Sequence, residues 1–397
     1  MFNRVREYFK DISANVRVMS VGSFLNDVAT EMIYPLLPVF LTKVLGATFG
    51  FVGVIEGIAE STSSVAKLLS GWYSDRRGSR KAPTVAGYAL SGLTRPLVAV
   101  AGAPWHVLLA RFTDRIGKGV RTSPRDALLA ASVDPKIRGK AFGFHRAMDN
   151  AGALVGPAIS MLILWWKPGM EHYRLVFWIA CVPTAIAVLI LWRWIREVPP
   201  DKKGASGAPS LSWSALDRSF RAYVIVMFIF TLGNSSDAFL LLRAEKLGVP
   251  DYLLPLLWIV LNFTKTITNI PGGGLADRWG RKKVIIIGWV VYSLIYAGFA
   301  AAGAIWHAWA LFALYGIYFG MTEGAERALV SDLAPDHIRG TAYGFFHLSV
   351  GLAAFPASAL FGYLWDKVGV EIAFGTGAGF ATLAAILMAF LVRPAKR

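Results

Sequence analysis

Along the chain, apolar residues come in blocks of about twenty to thirty, each closed by a short polar or charged stretch. A helix rises about 1.5 Å per residue and a bilayer's hydrocarbon core is about 30 Å thick, so each block can cross a membrane as a helix. The pattern predicts about twelve spans, near 17–44, 50–74, 82–103, 105–131, 139–166, 172–194, 219–246, 251–276, 283–303, 306–332, 340–365 and 371–392. Ten-residue alternating strands, the mark of a membrane β-barrel, are absent. The expected fold class is an all-α polytopic membrane protein.

The polar stretches set the sidedness. The leader carries Arg4, Arg6, Lys10 and Arg17, the next loop "GATFG" has no cation, "DRRGSRK" follows, and then the uncharged "GAPW". Lys and Arg concentrate in the even-numbered loops and at both ends, which puts both termini in the cytoplasm of a plasma (inner) membrane protein. The longest polar connection, Arg196 to Ser219, is rich in Pro, Gly, Ser and Lys and reads as a flexible linker. The expected organisation is an N-terminal six-helix bundle at 1–195, a linker at 196–218 and a C-terminal six-helix bundle at 219–397.

The two halves repeat each other. "GWYSDRRGSRK" (Gly71 to Lys81) returns as "GGLADRWGRKK" (Gly273 to Lys283), and "IRGKAFGFH" (Ile137 to His145) returns as "IRGTAYGFF" (Ile338 to Phe346). Asp75 and Asp277 are 202 positions apart, and Arg138 and Arg339 are 201 apart. Two motifs with nearly one offset indicate a duplication. An even number of spans separates the copies, so they run in the same direction, and parallel six-span repeats place a substrate site between halves.

Composition narrows the function. Hydrophobic residues make up 55% of the chain, charged residues only 17%, and mean hydropathy is +0.50. The net charge of +16 lies mostly in short loops between apolar spans, so it reads as topology rather than nucleic-acid binding. The single cysteine, Cys181, excludes an intramolecular disulfide and any multi-cysteine metal site. With no HExxH, nucleotide loop or cysteine cluster, neither an enzyme nor a cofactor is expected.

The two loop motifs, Gly71-x-x-x-Asp75-Arg76-x-Gly78-x-Arg80-Lys81 and Gly273-x-x-x-Asp277-Arg278-x-Gly280-Arg281-Lys282, resemble the signature of the major facilitator superfamily (MFS). The resemblance, of an exporter-like bacterial type, covers nearly the whole chain. It implies the MFS fold of two parallel six-helix repeats, with Asp75, Arg76, Asp277 and Arg278 as gate residues and spans 1, 4, 7 and 10 around a central cavity. Gly152, Gly156 and Pro157 in "AGALVGPAIS" resemble the superfamily's span-5 exporter motif, with Ser160 where Gly is usual; helix packing alone would use the same residues. Span 4 follows the superfamily pattern at Arg111, Gly117 and Pro124, but Asp114 and Arg115 replace its usual Gln and Gly.

Span 4 holds the candidate chemistry. At 100° per residue, Arg111, Arg115, Lys118, Arg121 and Arg125 fall within about 120° of one helix face. Charges at that depth need partners or a watery cavity. Candidate partners are Asp27 and Glu31 in span 1, Glu56 and Glu60 in span 2, Asp237 in span 7, and Glu323 and Glu326 in span 10; Arg95, Lys265 and Arg327 add cations. Asp27 and Glu31 are the leading proton carriers, or else form a fixed ion pair with Arg111 or Arg115. His145 and Asp149 are either a proton relay or an intrahelical hydrogen bond. Arginine suits carboxylates and phosphates, so the substrate is expected to be anionic or zwitterionic. The sequence therefore predicts a monomeric, proton-coupled secondary transporter exporting a metabolite or toxic compound by alternating access. The alternative is proton-coupled uptake or facilitated transport of an anionic metabolite, such as an organic acid or phosphate ester.

Overall fold

The computed structural model describes residues 13–77, 79–134, 138–198, 216–334 and 339–393. Every element among them is helical, and the twelve expected spans are present. They are α1 (Ala14–Ile33), α2 (Phe49–Arg77), α3 (Lys81–Ala99), α4 (Pro104–Ala131), α5 (Arg138–Trp166) and α6 (Tyr173–Trp194). Then come α7 in two segments (Arg218–Gly233 and Ala238–Lys246), α8 (Leu254–Trp279), α9 (Arg281–Ala301), α10 (Ile305–Leu333), α11 (Arg339–Lys367) and α12 (Val370–Leu391). Seven of them, α1, α5, α6, α7, α9, α11 and α12, are long and apolar enough to cross a membrane by composition alone. α8, bent by 45°, joins them if its two parts are taken as one span, and α2, α3, α4, α8 and α10 carry most of the charges named above, with Asp27 and Glu31 on α1 and Asp237 at the break of α7.

Two predicted spans are broken rather than continuous. α1 stops at Tyr34, because Pro35 lacks the amide the helix needs, and resumes as a turn at Leu37–Val39 and a π-helical turn at Phe40–Val44. α7 opens at Asn234, Ser235, Ser236 and Asp237. Gly-Asn is a common helix stop, and Ser and Asp favour helix starts, so "GNSSD" held this signal.

The ends of α4 and α10 use one device. His106 Nδ1 accepts from the Gly102 and Ala103 amides, both at 3.1 Å. His307 Nδ1 accepts from the Gly303 and Ala304 amides at 3.3 and 3.0 Å. "GAPWH" and "GAIWH" are a third motif shared by the two copies of the repeat, missed in the sequence and visible once the caps are seen.

The chain divides into two compact units, Met1–Tyr34 with Thr62–Gly204, and Pro35–Ser61 with Ala205–Arg397. In the first, α1 lies along α5 and α6, and α3 along α4. Its core joins Val16 and Met19 of α1 to Tyr88, Leu128, Leu129 and Leu191. In the second, α8 lies along α10, and α9 along α12. There an added Cβ on Gly316 or Gly320 of α10 would run into the Thr264 or Thr268 hydroxyl of α8.

The first half of α2 belongs to the second unit. Its start is capped by Asp366 of α11, which accepts from the Phe49 and Gly50 amides at 3.0 and 2.6 Å. Ser61 Oγ donates to Gly351 O at 2.6 Å. Between these ends Gly53 and Gly57 let the α11 backbone at Ser358 and Phe355 come too close for any side chain.

Candidate functional site

Each unit holds its own polar cluster. In the first unit, Arg95 of α3 is buried and reaches α1: Nη2 donates to Thr30 Oγ1 at 2.7 Å and to Asn26 Oδ1 at 3.3 Å, and Nη1 to Ser91 O at 2.6 Å. Its guanidinium is 3.9 Å from Asp114. Asp114 thus lies in the field of Arg95, Arg115, Arg111 and Arg121. Residues that the sequence placed on one face of α4 separate into two sets. Arg121 turns to α3, donating to Ser91 Oγ at 2.7 Å and standing 4.5 Å from the Tyr88 ring. Arg125 binds Asp126 at 2.9 Å and also donates to Ser23 Oγ and Tyr88 OH. These two tie α4 to α3 and α1. Arg111 stands 5.5 Å over the Tyr34 ring, Arg115 is buried, and Lys118 is half-buried.

Asp27 is half-buried on α1 and accepts from Asn26 Nδ2 at 3.3 Å. The charges that act on it most are Asp149, Arg121, Lys118 and Arg125. The α4 cations that bear on Asp27 are thus Arg121, Lys118 and Arg125: helical periodicity gives the face of α4 but not how far each side chain is drawn aside by α3. The His145–Asp149 reading also changes. His145 Nε2 is 3.8 Å from Asp149 Oδ1, too far for a hydrogen bond, and His145 Nδ1 bonds Ser20 Oγ at 3.3 Å instead. Asp149, which the sequence left beside His145 alone, is a neighbour of Asp27.

α5 is pressed against α1 behind these acids. A Cβ on Gly152 would stand 2.7 Å from Phe24 O and 2.9 Å from Asp27 Cβ, and one on Gly156 would stand 2.4 Å from Val28 O and 3.1 Å from Glu31 Cβ. Ser160 donates to Met32 O at 2.8 Å. Glycine, glycine and serine four residues apart form one stripe, with Pro157 beside it inside α5. Glu31 itself is half-buried.

In the second unit, Asp237 sits at the break of α7, where Tyr315 OH donates to its Oδ1 at 2.8 Å. Glu56, Glu60 and Lys265 act on it. Ser236 Oγ donates to Glu56 at 3.4 Å. Three tyrosines serve the polar groups that the break exposes. Tyr292 OH donates to Gly233 O at 3.0 Å, Tyr296 OH meets Ser235 Oγ at 3.3 Å, and Tyr315 OH takes Asp237. Lys265 of α8 pairs with Glu323 at 3.0 Å and lies over the Phe319 ring, and Arg327 holds the other Glu323 oxygen at 2.8 Å. Glu326 is drawn aside by Trp289 Nε1, which donates to it at 3.0 Å.

Of the predicted gate residues, the side chains of Asp75 and Arg76 lie outside the described residues. Asp277 and Arg278 are exposed at the end of α8.

The chain's similarities to known proteins fit this architecture. The model of the Major Facilitator Superfamily matches residues 19–264 and 243–397. An uncharacterised MFS-type transporter of Methanocaldococcus jannaschii is 34% identical, over 96% of each chain. A multidrug resistance protein, MdtH, of Photorhabdus laumondii is 23% identical over 84% of this chain and 82% of its own. Among solved structures, a D-xylose-proton symporter superposes with a TM-score of 0.77 at 18% identity, covering 97% of this chain and 99% of that one.

Proposed function

The chain belongs to the Major Facilitator Superfamily and moves a small solute across a membrane, and from that premise we propose that it is a proton-coupled exporter working by alternating access. The observation that carries this reading is the α1–α5 acid pair. Asp27 lies in the field of Asp149 on α5 and of Lys118, Arg121 and Arg125 on α4. A carboxylate set between a like charge and cations changes its proton affinity when either moves, which is what coupling to a conformational cycle requires. Export is supported by Gly152, Gly156 and Pro157 of α5, whose glycines bring it against α1, and by the similarity to a multidrug resistance protein. The substrate is a small anion or zwitterion; the first unit offers it Arg111, Asp114, Arg115 and Lys118, and the second unit Asp237, Lys265 and Glu323.

One pH unit is worth about 1.4 kcal/mol per proton, so one-for-one exchange holds about a tenfold solute gradient per unit. In proteoliposomes with an imposed pH gradient, Asp27→Asn is expected to keep downhill solute movement and lose that pH-driven accumulation. Accumulation at the wild-type level in Asp27→Asn would overturn the coupling role.

A second reading, proton-coupled uptake or facilitated transport of an anionic metabolite such as an organic acid or phosphate ester, is favoured by one observation. Arg115 is buried, and its Nε has no hydrogen-bond partner among the described residues. Thermal stability against anionic metabolites and lipophilic cations separates the readings, since a ligand stabilises the folded state it binds. Stabilisation by carboxylates, lost in Arg115→Gln, together with inward movement down a pH gradient, selects uptake.

A further inference from the structure

The repeat lets one half of the chain interpret the other. In the first copy the amides that open α3 are occupied. The Glu197 carboxylate accepts from Arg80 N at 3.1 Å, from Lys81 N at 2.9 Å and from Ser79 Oγ at 3.2 Å. Arg80 Nη1 also donates to Ala127 O at 3.4 Å. In the second copy Arg281 Nη1 donates to Ala328 O at 2.8 Å, so Arg80 corresponds to Arg281 and the start of α3 to the start of α9.

The far ends of the two copies match as well. The Asn15 side chain accepts from Arg196 N and donates to Arg196 O, both at 2.9 Å. Ser219 Oγ accepts from Arg393 N at 3.0 Å and donates to Arg393 O at 2.7 Å. Arg196 therefore corresponds to Arg393, and the next residue is Glu197 in one copy and Pro394 in the other. Among the described residues of the second copy, no carboxylate accepts from the amides that open α9.

At the start of α9 the second unit has a cavity of about 930 Å³. Arg278, Arg281, Lys282 and Lys283 line it, against two carboxylates, Asp277 and Asp332. Asp332 is already engaged by Arg281. Lys282 Nζ donates to Ala389 O at 2.7 Å, and the Lys283 ammonium stands 5.8 Å from the Trp279 ring. The remaining wall is apolar: Trp279, Ile286, Ile287 and Leu329. Arg281 begins a helix apolar enough to cross the bilayer, so the cavity lies at a membrane face, where exposed Trp279 suits the headgroup level. A helix start favours an anion, and clustered cations beside apolar surface favour an anionic lipid over a free ion.

We propose that this cavity binds the phosphate of an anionic phospholipid at the start of α9, in the place that Glu197 fills at the start of α3, with the acyl chains over Trp279 and Ile286. The test is native mass spectrometry of the full chain in neutral detergent with phosphatidylglycerol or phosphatidylcholine. Wild type is expected to retain one phosphatidylglycerol in preference to phosphatidylcholine. A Lys282→Gln/Lys283→Gln variant should bind it about twenty-five-fold more weakly, since each basic residue at a charged surface contributes about a factor of five. Glu197→Ala, which vacates the matching place in the first copy, should retain a second phosphatidylglycerol. Equal retention of the two lipids, no loss in the lysine variant, or no gain in Glu197→Ala would overturn the proposal. Release of the lipid by millimolar inorganic phosphate would also overturn it, and would assign the site to a free anion.

Discussion

At the scale of single residues, two positions on α5 isolate packing from composition. Gly156 is pressed on Val28 O, whereas an added Cβ on Gly143 meets nothing within 4 Å. Gly156→Val should cost about 1–3 kcal/mol by overpacking. Gly143→Ala should stabilise by about 0.5–1 kcal/mol, because alanine loses less backbone freedom in a helix. Thermal unfolding in detergent reads both, and equal effects would show that the α1–α5 approach is not set by Gly156. The sequence made the charged residues of α4 legible as a set, because their spacing is a helical period. It did not show that Arg121 and Arg125 are diverted by Ser91, Ser23 and Tyr88, since those partners come from other helices at unpredictable angles. Asp149 was missed as a neighbour of Asp27 for the same reason.

At the scale of an element, the break in α7 is the informative case. Alternation of apolar blocks predicts a span but is insensitive to four polar residues within one, so α7 read as continuous. The break is tolerable because tyrosine hydroxyls from α9 and α10 meet the groups it exposes. Tyr292→Phe removes the partner of Gly233 O and should cost about 1–2 kcal/mol. Amide hydrogen exchange over residues 230–240 should speed up in that variant and stay unchanged in α12; unaltered exchange at the break would mean that Tyr292 does not hold it. The cap on α2 makes a parallel case. Asp366→Ala leaves the Phe49 and Gly50 amides without their acceptor and should cost about 0.5–2 kcal/mol, the usual range for a lost N-cap. Faster exchange confined to the first turn of α2 is the expected reading.

At the scale of the molecule, the duplication was the most legible feature, because motifs tied to backbone geometry keep their spacing after the rest has diverged. The loop motif survives as "SDRRGSRK" and "ADRWGRKK", and the helix caps survive as "GAPWH" and "GAIWH". What the repeat did not reveal in sequence is where the copies differ in charge, since the Glu197–Pro394 exchange has meaning only once both helix starts are seen. The Glu197 clasp also sets a mechanical limit. α6 ends at Trp194, but Ile195 is packed in the core, Arg196 is held by Asn15, Glu197 by the start of α3, and Val198 leans on the core. The first unit thus grips its own chain past the last helical turn, as far as Val198. A spacer inserted after that point leaves the grip whole, while the same spacer inserted before Glu197 would tear the strap from its buckle and loosen the start of α3.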